Sequence, residues 1–339
     1  MKTRFVPVCL FASLLALGPA TALAQSYQSV ANDISDLILI HRYPEAQARL
    51  NALQRQYPAA TDLQFQELVL LFTWIDDYGI ADSLNREFRN QVDAVVTSAN
   101  RDLARNPNDA RALFYKGSAL AYRALYRSYV EGIGRNIGSL LTDASSGMAE
   151  LEKARAADPT FADPLIAIGK YKHWKSKKLP WPFATAQEGR DGIRMLEQAV
   201  RMGVLSDGGA EQTLAWIYMS ERRYDDAITL VQPYVAKYPT SRFFLEIVAR
   251  AYQEKGDYVR AGALFGRIMN GLSPDERARP FVVMKYERWI AKLRLQQGRR
   301  DEACEIARRL RSLNYAGVHR DWLDRKMEEV HRIEREACR

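Results

Sequence analysis

Apolar residues along this chain recur at helical spacing. Leu165, Ile168, Tyr171 and Trp174 fall three apart and make one stripe of a helix. The apolar run from Leu68 to Ile75 has the length of a buried helix segment. It falls well short of the ~18 residues that a membrane span needs. Strand signals are nearly absent, with no Asn-Gly type of hairpin dipeptide between alternating runs. The pattern predicts an all-α protein.

The stripes repeat. Ala215 and Ala249, Tyr218 and Tyr252, Tyr224 and Tyr258, and Ala227 and Ala261 are each separated by 34 residues. Tyr43 and Ala46 are followed by Pro58 as Tyr224 and Ala227 are by Pro239, and Ala291, Gly298 and Ala303 take the small, turn and small positions near the end. Small, aromatic, small and proline at this period resemble the tetratricopeptide repeat (TPR). The resemblance implies a right-handed TPR-type α-solenoid. Its units are about seven helix pairs, at 27–60, 63–109, 110–160, 162–205, 208–241, 242–275 and 281–315, with a capping helix over about 319–337. The organisation expected is a signal segment at 1–24, divergent units at 25–109, units with insertions at 110–205, regular units at 206–315 and a cap at 316–339. Each unit is an antiparallel pair that cannot bury its apolar face alone, so stacking supplies the core.

Three units carry extra chain between their helices, at 75–90, 126–146 and in the stretch from Lys170 to Phe183. These neighbouring insertions are expected to gather on one region of the surface, where repeat proteins often bind.

The N-terminus changes the compartment. Lys2 and Arg4 precede an apolar stretch from Val6 to Leu17, and Ala22-Leu23-Ala24 is a small-x-small cleavage site. Cleavage near Ala24 would place the protein in the periplasm or outside the cell. Cys9 sits too early in the apolar stretch for a lipid-anchored N-terminus. The net charge of +8 falls to +6 without Lys2 and Arg4. Most of that excess lies in 275–339. Cys304 and Cys338 remain, and in an oxidising compartment they can pair if their helices bring them close.

Candidate chemistry is sparse. His41, His173, His319 and His331 form no metal-ligand motif; His319 and His331 lie twelve apart, roughly 120° around a helix. Gly132, Gly134 and Gly138 have the wrong spacing for a dinucleotide loop. The stretch at 115–120 lacks a nucleophile elbow, and Gly117 is read as the small position of a repeat helix. Asp76-Asp77 is read as a solvated turn rather than half of an acid–base pair. No catalytic residue, metal or cofactor is expected. Nucleic acid is not expected either, because no binding motif accompanies the basic balance and the export signal opposes it.

The TPR resemblance implies a concave groove lined by the first helix of each pair. Its positions fall on Arg111, Phe114, Ser118 and Tyr122; on Ile166, Lys170, His173 and Trp174; on Gln212, Trp216 and Met219; on Arg242, Glu246, Arg250 and Gln253; and on Lys285, Arg288 and Lys292. Aromatic residues in the middle and a basic end suit an extended, partly acidic peptide or a protein segment. The family's carboxylate clamp uses asparagine, and none stands here, so a chaperone C-terminus is not the expected ligand. Lys175, Lys177, Lys178 and Trp181 form a second candidate surface, for a partner or for anionic lipid. The reading is a non-enzymatic scaffold. Its alternatives are an enzyme or enzyme-associated module with a site in the insertions, and a peripheral membrane-surface binder.

Overall fold

The computed structural model describes residues 32–130, 137–178, 184–204 and 208–339. All regular structure among them is helical. The helices are α1 (32–39), α2 (Tyr43–Gln56), α3 (Thr61–Tyr78), α4 (Ala81–Arg105), α5 (Ala110–Val130), α6 (Ile137–Ala157), α7 (Asp163–Lys178) and α8 (Ala186–Met202). They continue with α9 (Gly209–Ser220), α10 (Tyr224–Lys237), α11 (Arg242–Glu254), α12 (Tyr258–Gly271), the single turn α13 (Pro274–Arg277), α14 (Pro280–Gln296), α15 (Arg300–Ser312) and α16 (Arg320–Ala337). Consecutive helices pack in pairs, and the architecture is a TPR-type α-solenoid of seven pairs with α16 as its cap.

The repeat positions behave as the pattern requires. Ala215, Ala227, Ala249, Ala261, Ala291 and Ala303 are fully buried where the two helices of a pair meet. In the longer pairs the contact is tighter still. A Cβ on Gly117 would lie 2.8 Å from the Gly147 carbonyl oxygen, and one on Gly169 would lie 2.6 Å from that of Gly192. The turn inside a pair uses a left-handed residue. Gly256 and Gly298 fill it at φ near +80°, while His41 and Arg222 hold the equivalent place at φ +64° and +60° without being glycine.

The expected insertions take a different form. Residues 75–90 make no protruding segment: α3 runs to Tyr78 and α4 starts at Ala81, so the extra chain lengthens two helices around a two-residue turn. Residues 127–130 likewise prolong α5 and 137–146 belong to α6, while 131–136, with Gly132 and Gly134, lie outside the described residues. Extending a helix satisfies backbone hydrogen bonds internally, which an irregular excursion does not. The LPWPF part of the third insertion and the signal segment lie outside the described residues.

The solenoid also closes on itself. Ile34, Leu37, Tyr43 and Leu50 of the first pair join one core with Tyr238, Phe244, Tyr286 and Trp289. A second core joins α3–α5 to α14–α16 through Phe88, Tyr126, Phe281, Trp322 and Ile333. A Cβ on Gly79 would lie 2.7 Å from the Phe281 ring, so the α3–α4 turn is pressed directly against α14. The Gly79 carbonyl accepts the His319 N–H at 3.0 Å, and Tyr238 donates to Asp36 at 2.7 Å. Each large apolar side chain buried here contributes about 1.5–3 kcal/mol. Cys304 and Cys338 are disulfide-bonded, with Cα atoms 5.2 Å apart, and fasten the end of α16 to α15.

Candidate functional site

Closure brings charged residues from distant pairs to the inner side of the array. Asp77, at the C-terminal end of α3, is 1 % exposed. A carboxylate at a helix C-terminus opposes the helix dipole, so something else must hold it. One oxygen of Asp77 accepts from Tyr43 at 2.9 Å, from the His41 ring at 3.1 Å and from the Arg242 guanidinium; the other accepts from Lys285 at 2.7 Å. Arg242 also donates to Glu276 at 2.6 Å. The Arg242 backbone N–H donates to His41 Nε2 at 3.0 Å, which leaves the ring proton on Nδ1, facing Asp77. Burial and the neighbouring Arg242 lower the His41 pKa to about 4, so the ring is neutral. Burial opposes charge on Asp77, but Lys285, Arg242 and His41 outweigh it and hold the carboxyl well below the usual range. This is a clasp joining the first two pairs to the sixth and seventh. It corrects the sequence expectation of a solvated Asp76-Asp77 turn, at least for Asp77.

Beside the clasp stand three further charged side chains, Asp76, Lys170 and Lys326. Asp76 and Lys170 are solvent-accessible, and Lys326 of α16 is half-buried. Burial nevertheless raises the Asp76 carboxyl, with Lys285, Asp77, Lys326 and Glu246 close enough to act on it. Burial lowers the Lys170 ammonium, against the charge of Asp76. Burial, Arg288, Glu246 and Lys285 set Lys326 at about 8. The neighbouring charges are paired: Lys285 with Asp77, Arg288 with Glu329, Arg250 with Glu246 at 3.6 Å and Lys292 with Glu254 at 3.3 Å.

Three successive first helices, α9, α11 and α14, carry a shelf of aromatic rings and cations. The Arg250 guanidinium lies between two indoles, 4.7 Å from the Trp216 ring centre and 4.3 Å from that of Trp289. Arg288 and Lys292 approach the same Trp289 ring at 4.5 and 5.0 Å. Trp216 and Arg250 keep accessible surface, whereas Trp289 is buried with its indole N–H unpartnered among the described residues.

The residues predicted from sequence are therefore distributed unevenly. Trp216, Arg250 and Lys292 come together on the shelf, and Lys170 is exposed. Arg242 and Arg288, expected on an open groove, are buried and held by the chain's own carboxylates. His173 is fully buried and bonds to Ser220 at 3.1 Å, so it packs α7 against α9 instead of lining a groove. Its exposed neighbour Trp174 stands edge-on to it. Tyr122 packs on Phe72 at 5.0 Å, and burial raises its hydroxyl to about 12. Arg111 is exposed and lies over the Phe161 ring. Lys175 and Lys177 face Glu188 and Glu221 at 3.1 and 2.7 Å, and Lys178 is exposed. Trp181 lies outside the described residues.

Sequence reasoning missed Asp77, Glu276, Lys326 and the role of His41. One signal was present: two carboxylates near the end of an apolar helix. Among the described residues no group of three His, Cys, Asp or Glu side chains is placed to hold a metal, and no helix is long and apolar enough to cross a membrane.

No family model matches the chain, and no curated protein sequence matches it. Solved structures similar to it include a tetratricopeptide repeat protein from Parabacteroides merdae, at 14% identity and a TM-score of 0.43, covering 91% of this chain and 99% of that one. The human IFIT1 dimer with PPP-AAAA matches at 11% identity and a TM-score of 0.48, over 94% of this chain and 70% of that one. Yeast Tom70 matches at 10% identity and a TM-score of 0.38, over 94% and 83%.

Proposed function

We propose that this chain is a non-enzymatic scaffold of the cell envelope that holds an extended peptide or protein segment against its inner face. The observation that carries the reading is the shelf of Trp216, Arg250, Trp289 and Lys292. The Trp216 indole gives contact area at low entropic cost, and a guanidinium already stacked between it and the buried Trp289 is oriented before a ligand arrives. The signal-type pattern ending near Ala24 and the Cys304–Cys338 bond support export to an oxidising compartment.

A photo-crosslinking residue at Met219, on the helix of Trp216, tests the reading in envelope extract. The expected result is a crosslink to one defined segment of a partner, lost in Trp216→Ala and in Arg250→Glu. A crosslink pattern unchanged by both substitutions, or none at all, rejects the shelf as the binding surface.

A further inference from the structure

The clasp contains one group that can change its charge without leaving its place. Asp77 and Glu276 supply two negative charges and Arg242 and Lys285 two positive ones, so the sealed cluster balances while His41 is neutral. His41 is buried, and both of its ring nitrogens are engaged. Nδ1 lies 3.1 Å from Asp77 and 2.9 Å from the Tyr43 hydroxyl, and Nε2 accepts the Arg242 N–H at 3.0 Å. That last bond joins residues 201 apart in sequence and ties the first pair to the sixth. His41 makes it from a strained position. Its φ is +64°, a backbone conformation that falls to Gly256 and Gly298 in two equivalent turns. Glycine would relieve the strain but has no side chain to accept from Arg242.

We propose that His41 is an acid-sensitive latch on the closed array: a proton taken at Nε2 breaks the bond to Arg242 and frees the α1–α2 pair from α11. An imidazolium has two donors and no acceptor. The Arg242 N–H then faces a second donor, and the sealed cluster carries a net positive charge with no counter-ion. The latch works whatever the inner face holds.

The ionisable groups facing His41 are Asp77 of α3, Tyr43 of α2, Arg242 of α11 and Lys285 of α14. Asp77 favours the proton, while Arg242 and Lys285 oppose it. The Phe243 ring, 4.4 Å away, offers no acceptor. The clasped ring titrates at about 4, against 6.5 for a free one. A released His41 therefore binds more protons than a clasped one. The clasp is at full strength above about pH 6.5 and weakens as pH falls from there, by up to ~tenfold per pH unit. Asp77 and Glu276 are both held below their ordinary values and stay charged through this window.

Spin labels on Ala48 of α2 and Ala236 of α10, both exposed, lie on either side of the seam, and the distance between them tests the proposal. One distance is expected at about pH 7.5. Between about pH 6.5 and about pH 4.5 a longer one should grow in, reversibly and at unchanged helix content, its share relative to the first rising by up to ~tenfold per pH unit. His41→Gln keeps an acceptor and cannot take the proton, so its distance should stay constant over that range. His319→Gln alters the histidine beside Asp82 at the other seam and should leave the transition in place. Imidazole nitrogen shifts of the wild-type protein need no variant. His41 should pass from the Nδ1-protonated tautomer to imidazolium at the midpoint of the distance change. Midpoints about a pH unit or more apart, an unchanged wild-type distance, the same transition in His41→Gln, or a transition that coincides with loss of helix would each overturn the latch.

Discussion

Asp76 and Asp77 are adjacent on one helix but belong to two regions that treat charge in opposite ways. In the clasp, Asp77 has four donors and is sealed from water. Beside it, Asp76 and Lys170 are exposed, Lys326 is half-buried, and none of the three has an ion-pair partner among the described residues. Side chains of the same types perform different work because of where closure puts them. A buried carboxylate with its donors satisfied holds the array shut.

The sharpest way to break the comparison is to remove a clasp donor. Arg242→Met leaves both Asp77 and Glu276 buried without their guanidinium. It should cost ~4 kcal/mol in denaturant unfolding, the usual scale for breaking a buried ion pair from one side. The clasp also shapes the acid limb of stability. The Asp77 carboxyl is held below its unfolded value, so its contribution is present above about pH 4 and is lost as pH falls through the folded value. Asp77→Asn should therefore flatten that part of a stability-against-pH curve.

The disulfide is next in size. It closes a loop with a sequence separation of 34 and fixes the end of the cap. The Cys304→Ser, Cys338→Ser variant should lose ~3 kcal/mol in the same unfolding measurement. A loss confined to protection of α15 and α16 in hydrogen exchange would show that the cap opens alone; a loss spread to α3 would tie it to closure.

The smallest effect has the opposite sign. The Lys326 pKa lies below that of a free lysine, so the unfolded chain binds more protons and wild-type stability rises as pH climbs from about 8. Lys326→Met should be no less stable than wild type at neutral pH and should lack that rise. Equal pH slopes in the two proteins would mean that Lys326 is not desolvated.

What was legible in the sequence was local. Ala215 with Ala249 and Tyr218 with Tyr252 announce a repeated pair because each residue meets neighbours within one unit. Gly256 and Gly298 mark turns for the same reason. Closure left no such trace. Asp77 and Arg242 are 165 residues apart, and no periodicity relates them. Of the groove positions assigned by repeat register, Trp216, Arg250 and Lys292 lie together around Trp289. The same register misjudged Arg242 and Arg288, whose partners come from outside their own units. His173 was misplaced because it faces Ser220 of α9 and is fully buried there, a contact outside its own unit. The insertion at 75–90 misled in a similar way, since extra residues between repeat signals read as a loop when they lengthen α3 and α4.

Denaturant unfolding of Asp76→Asn beside Asp77→Asn at neutral pH tests the distinction most directly. The account predicts that Asp77→Asn loses ~3 kcal/mol or more. Asp76→Asn loses nothing, because the Asp76 carboxyl is raised and its charge is a burden on the fold. Equal losses in the two variants would contradict it.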